Sequence, residues 1–157
     1  MAEQSTFAPA SAPRGFYTAR VDDKGRLKLP VNFQEFIGGE KLFVTSLDAR
    51  IARLYPISVW QANEKLLSEF TDDPDVAEHI AFVADHYGAD SEVDAQGRVL
   101  LPTDLRRELK LENEQVWLQC FQGAINVYGK EIYEEQERRA KENLAEKLKF
   151  AKQKGLK

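Results

Sequence analysis

Two short stretches of this chain hold the residue types that do chemistry. Asp22-Asp23-Lys24-Gly25-Arg26 and Asp94-Ala95-Gln96-Gly97-Arg98 set Asp, Gly and Arg in the same slots, inside the longer phrases VDDKGRLKLP and VDAQGRVLLP. An Asp ahead of a Gly is the composition of a tight reversal, because the carboxylate accepts backbone N–H groups and the glycine takes the left-handed backbone. Asp22, Gly25, Asp94 and Gly97 are therefore expected to be structural turn residues. Arg26 differs in kind. A guanidinium has five donors, so it can hold an Asp and still offer a fork to a phosphate or a guanine edge, and Lys24 adds a point charge at the turn tip.

The elements that must position these groups follow from the flanking alternation. Phe16 to Val21 and Arg26 to Leu29 read as two short strands of a hairpin, with Val21, Leu27 and Leu29 on a core face and Arg20, Asp22, Arg26 and Lys28 on a charged one. A two-stranded ribbon of this kind fits the major groove of B-DNA. The nucleic-acid-contacting candidates are Lys24, Arg26, Arg20 and Lys28, with Arg98 and Gln96 in the second copy. That copy reads as weaker: Gln96 stands in place of Lys24, Leu100 of Lys28 and Glu92 of Arg20, so only Arg98 keeps its charge on the face. Arg106 and Arg107, on the following helix, read as solvated.

Around the two turns the order of elements also repeats. Pro30 opens a helix with Phe33, Phe36 and Ile37, which Gly38-Gly39 ends. Lys41 to Thr45 and Ile51 to Tyr55 read as strands, and Ser58 with Gln61 as a capping box for a helix carrying Trp60, Leu66 and Leu67. After the acidic loop Thr71 to Pro74, a second helix with Val76, Ile80, Val83, Ala84 and Tyr87 on one side runs to Gly88. Then the series restarts: Val93 and Val99 to Leu101 flank the second turn, Pro102 opens a helix, Val116 to Phe121 and Ala124 to Tyr128 form strands, and a charged helix spans Glu131 to Phe150. Leu54-Tyr55 is answered by Val127-Tyr128, and Trp60 by Tyr133. This is a duplication of about 70 residues, and two copies are too few for a solenoid, so a pseudo-two-fold pair of half-domains sharing one core is expected. The expected boundaries are a disordered arm over 1–13, a first half over 14–72, a second half with its leading helix over 73–134, and a charged C-terminal helix over 135–157.

Composition bounds the function. At 157 residues, 43% hydrophobic and 31% charged, the chain reads as soluble and globular. It has no apolar run of the roughly 20 residues that cross a bilayer, and its first residues lack a signal-peptide pattern, so a cytoplasmic location is expected. The single cysteine, Cys120, lies in an apolar stretch and reads as an inert buried thiol. The net charge of −4 excludes indiscriminate binding to nucleic acid, yet Arg14 to Lys28 carries five basic residues against two acidic ones, and local potential is what a polyanion meets. His79, His86 and Asp85 follow no metal-ligand pattern, and no Ser/His/Asp or phosphate-loop signature is present. Neither an enzyme nor a metal or other cofactor is expected.

These residues carry a resemblance. The two Asp-x-x-x-Arg turns, each followed by an aliphatic-x-Pro and a helix, together with Arg14-Gly15, Leu54-Tyr55-Pro56 with Trp60, and Gly88-Ala89, resemble the MraZ family of bacterial transcription regulators from Arg14 to Tyr133. The resemblance implies an α+β fold of two fused AbrB-like (SpoVT-AbrB) half-domains, a swapped-hairpin β barrel with peripheral helices. It also implies a ring-like homo-oligomer whose hairpins bind short direct repeats of double-stranded DNA, in a promoter heading the division and cell-wall gene cluster. Such a protein would be nucleoid-associated and would contact no membrane. The DNA-contacting motif maps onto Lys24 and Arg26, and onto Arg98 with Gln96. One departure is the helix before the second turn, acidic and aliphatic here where family members carry arginines. The alternative from another class is an AbrB-like protein-interaction or antitoxin-type module.

Overall fold

The computed structural model describes residues 12–70 and 72–157. The arm expected over 1–13 lies outside the described residues as far as residue 11, as does Thr71 of the acidic loop. In chain order the elements are β1 (Tyr17–Arg20), β2 (Arg26–Lys28), α1 (Val31–Ile37), β3 (Leu42–Thr45), β4 (Ala52–Pro56), α2 (Ile57–Ser68) and α3 (Pro74–Tyr87). They continue with β5 (Ala89–Ser91), β6 (Arg98–Leu100), α4 (Thr103–Leu109), β7 (Gln115–Phe121), β8 (Ala124–Tyr128), α5 (Lys130–Lys141) and α6 (Leu144–Gln153). The fold is mixed α+β, with six helices among the described residues and every strand pairing antiparallel.

The pairing partners correct the expected hairpin. β1 and β2 form no ladder; one bridge, Val21 to Leu27, joins their neighbourhoods. Instead β1 pairs with β7 and β2 with β6, partners 70 or more residues away in the chain. Six strands form a sheet in the order β1-β7-β8-β4-β3-β5, with β1 and β5 at its edges and no ladder closing it into a barrel among the described residues, and β2-β6 form a separate ribbon. The Asp turn reverses the chain as expected, but it hands β2 to the other copy of the motif rather than back to β1.

Alternation places the core as read from the sequence. Val21, Leu27 and Leu29 are fully buried with Val99 and Leu101, and they pack with Phe33, Leu54, Leu105, Leu118 and Ile125 into one cluster. The opposite face of the sheet is covered too. Phe43, Tyr55, Trp60, Ala84 and Ala124 cluster under α2 and α3, and Trp117 stacks on Tyr133 of α5 at 4.8 Å between ring centroids. All five residues of β8 are buried for this reason, as expected of a strand with both faces covered.

Three helices start directly after a proline, Pro30, Pro56 and Pro102, whose fixed φ directs the chain into the first turn. Gly38, at φ 64°, ends α1 by donating its N–H to the Gln34 carbonyl. The capping box at Ser58 is not formed: α2 already begins at Ile57, so Ser58 sits inside the first turn, and its Oγ donates to Glu40 Oε1 at 2.7 Å. The single charged helix over 131–150 is also corrected. Asn143 takes the left-handed backbone at φ 53° and divides it into α5 and α6, a conformation Asn tolerates better than most residues.

Candidate nucleic-acid interface

Each Asp builds its turn in the same way. Asp22 Oδ1 accepts the backbone N–H of Lys24 at 2.9 Å and of Arg26 at 2.8 Å, while Oδ2 accepts Arg26 Nε at 2.9 Å. Asp94 repeats this with Gln96 and Arg98, its contact to Arg98 Nε being 3.2 Å. The backbone N–H of Arg26 and of Arg98 are the main reasons the two carboxyls titrate below their ordinary value, with the guanidinium contacts adding to them. Because Asp22 engages Arg26 through Nε, the two terminal nitrogens have no partner among the described residues. On the second turn, Arg98 Nη2 donates to Gln96 Oε1 at 3.3 Å, so Gln96 steadies the arginine that follows it.

The ribbon brings both copies onto one surface. In its register Lys28 lies opposite Arg98 and Arg26 opposite Leu100, so these four share the outward face while Leu27 and Val99 face the core. Lys28 Nζ donates to the Gln96 carbonyl, which fastens the first copy's lysine to the second copy's turn. Arg20 stands on β1, with Nη2 on the Asn113 carbonyl at 2.8 Å, and lines one surface groove together with Lys28. The second turn is therefore less isolated than its sequence implied. It has Gln96 in place of a lysine, and Lys28 of the first copy reaches it from across the ribbon.

Helices of the opposite copy hold the two turns. Gly25 and Gly97 have φ of 82° and 79°. A Cβ at Gly25 would collide with the Arg106 guanidinium, and one at Gly97 with the Gln34 amide. Thus α4 braces the first turn and α1 the second, and Leu101 N–H to the Gly25 carbonyl and Leu29 N–H to the Gly97 carbonyl, both 2.9 Å, tie the backbones the same way. The reading of Arg106 as solvated is overturned. Its side chain is only 12% exposed and is fixed by Glu112 and by Thr103 Oγ1, at 2.8 and 2.9 Å. The one sequence signal for this was Gly25 itself, a glycine that needs clearance as well as a positive φ. Arg107 remains exposed.

The other residues weighed for chemistry stay apart from the turns. His79 and His86 are exposed on α3. Cys120 is free, and burial pushes its thiol up to about 11, which keeps it protonated near neutral pH.

Architecture and site together define a class: an α+β chain with two Asp-anchored turns, each braced by a helix from the other copy, that gathers its cations on one exposed two-stranded ribbon. The family model of the MraZ protein, described as antitoxin-like, matches residues 88–154. A protein of Acidobacterium capsulatum named "Transcriptional regulator MraZ" is 38% identical over 106 residues, 66% of this chain and 73% of its own. Relatives of the same name from Legionella pneumophila (strain Corby) and Pelotomaculum thermopropionicum are 35% and 31% identical, covering 77% and 85% of this chain and 82% and 93% of theirs. The chain belongs to the MraZ family.

Proposed function

We propose that this chain is a DNA-binding transcriptional regulator that reads double-stranded promoter DNA with the outward face of the β2-β6 ribbon. The observation that carries the reading is the gathering of Arg26, Lys28 and Arg98 on that face, with Lys24 at the adjoining turn. A ribbon three residues long extends about 10 Å, a size the major groove accepts. Arg26, held from behind by Asp22, offers its terminal nitrogens to a guanine edge or a phosphate. Lys24, Lys28 and Arg20 are assigned to phosphates, and Arg98 with Gln96 to the second contact. The names of the relatives support a role in transcription.

The finer reading divides the chain into AbrB-like halves over 14–72 and 73–134, related by a pseudo-two-fold axis in a swapped-hairpin barrel. It has identical subunits in a ring presenting their ribbons to short direct repeats, upstream of the division and cell-wall genes. One ribbon neutralises few phosphates and binds weakly at cellular salt, whereas several on one particle gain about 10²- to 10⁴-fold by avidity when repeat and subunit spacing match.

The test is binding of the purified chain to DNA from immediately upstream of its own coding sequence, across a salt series. Saturable binding whose logarithm falls steeply with the logarithm of salt concentration supports the reading. The net charge of −4 favours one rival, a protein-interaction module of antitoxin type. A chain that ignores this DNA at low salt and holds a protein partner unchanged from low to high salt is that module instead.

A further inference from the structure

We propose a second binding site in this chain, for a small planar aromatic acid that carries an N–H beside its carboxylate. The site is the open-sided cavity of about 450 Å³ between α5 and the outer face of the sheet. It is independent of the ribbon and of the reading built on it.

The duplication puts a groove at the matching place in each half. In the first half, Trp60, Glu64 and Leu67 of α2 and Ala77, Ala81 and Asp85 of α3 line a groove of about 360 Å³ between the two helices. The matching face of α5 bears Tyr133, Glu137 and Ala140, and it borders the cavity. α6 follows α5 as α3 follows α2, but it is exposed along nearly its whole length and lines none of the cavity. The second half thus keeps a seat between α5 and the sheet that no second helix lines among the described residues.

The floor of that seat is polar, which distinguishes it from the apolar bed under α3. Arg53, Asn126 and Gln119 stand side by side on three adjacent strands, since Asn126 is in register with both of the others. Asn126 is only 3% exposed. Its Nδ2 donates to Tyr128 Oη at 3.3 Å, and Tyr128 Oη donates on to Gln119 Oε1 at 3.1 Å. Asn126 Oδ1 accepts nothing from the described residues. A buried acceptor without a donor weakens a fold unless something else supplies that donor. Arg53 pairs with no carboxylate among the described residues.

The walls add shape to these two demands. Phe16 and Phe121, both about half exposed, flank the opening, and Tyr133 is stacked on Trp117 behind it. Aromatic walls with a few convergent polar groups are the make-up of small-molecule sites, and the volume lies in their range. A flat ring satisfies the walls, an N–H satisfies Asn126 Oδ1, and an adjacent carboxylate satisfies Arg53.

Indole-2-carboxylate meets all three demands, and 2-naphthoate keeps the ring and the carboxylate but lacks the N–H. Calorimetric titration of the full chain with each is expected to show saturable binding of indole-2-carboxylate with Kd below about 1 mM, and binding of 2-naphthoate about tenfold weaker. Arg53→Met should weaken both probes about tenfold, the loss expected when a charged hydrogen bond is removed. Asn126→Leu should erase the difference between them. Absence of saturable binding, equal affinity for the two probes in the unaltered chain, or affinities untouched by Arg53→Met would each overturn the site. Arg53 is partly exposed, so its variant decides the matter even where Asn126→Leu disturbs folding.

Discussion

Arg26 combines two tasks that a lysine cannot: its Nε closes the turn on Asp22, and its terminal nitrogens stay available to a ligand. Removing the side chain should therefore separate function from stability. Arg26→Ala is expected to lower affinity for promoter DNA by about ten- to hundredfold, the loss typical of a base-reading arginine. The unfolding midpoint should stay close to that of the parent, since an ion pair that keeps about a third of its surface in solvent contributes little; unfolding of the variant would make Arg26 a structural residue. Arg98→Ala should fall in the same range, because Lys28 joins Arg98 at the second turn. The carboxylates set a pH dependence. Asp22 and Asp94 have folded-state values below the ordinary 3.8, chiefly through backbone N–H groups of Arg26 and Arg98. The stability they lend is present in full above 3.8 and is lost as pH falls through the lower folded value. Acid titration of the melting temperature should show a decline beginning near pH 4 that is shallower in the double variant Asp22→Asn, Asp94→Asn; identical slopes would place the acid-sensitive groups elsewhere.

At the level of elements, each turn is shaped locally and held from afar. Turn chemistry was legible in Asp22, Gly25, Asp94 and Gly97 because an Asp acceptor and a left-handed glycine act within five residues. Burial of Val21, Leu27 and Leu29 was legible from alternation. The partner of β2 was not, since short strands with the same alternating pattern fit β1 or β6 equally, and only the assembled core selects β6. The bracing by Arg106 was hidden for a similar reason: an arginine on a polar helix face looks solvated until the turn it covers is brought beneath it. The failed capping box and the break at Asn143 are smaller cases, in which a proline start and a left-handed residue outweighed pattern. The bracing makes a crossed prediction. Arg106→Ala, on the second copy's helix, should speed amide hydrogen exchange in Asp22 to Lys28, and Gln34→Ala, on the first copy's helix, should do so in Asp94 to Leu100. Arg106→Gln should be the milder change, since Gln34 already fills the corresponding place over Gly97. Faster exchange in the same copy's turn, or in neither, would show that the helices do not hold the turns.

For the whole molecule, the exchange of strands means that neither half contains its own fold. Taken alone, the first half keeps only the β3-β4 ladder; β1 loses β7, β2 loses β6, β3 loses β5 and β4 loses β8. An isolated two-stranded unit is marginal in water, and a chain of about 60 residues buries too little surface to offset the loss. The duplication, however, supplies a substitute. A second copy of the first half carries counterparts of β5, β6, β7 and β8 in its own β1, β2, β3 and β4, so two copies can rebuild each exchanged ladder between them. A segment of residues 14–72 should therefore show little structure by circular dichroism at nanomolar concentration and gain it as concentration rises, with a melting temperature that rises with concentration and a dimer by sedimentation. The intact chain, which holds both halves at high effective concentration, should melt at a temperature independent of dilution over the range where its own assembly state is constant. A segment that folds as a monomer, with a melting temperature unchanged across that range, would mean the turns can close on their own strands and that the crossed pairing is not what holds the ribbon in place.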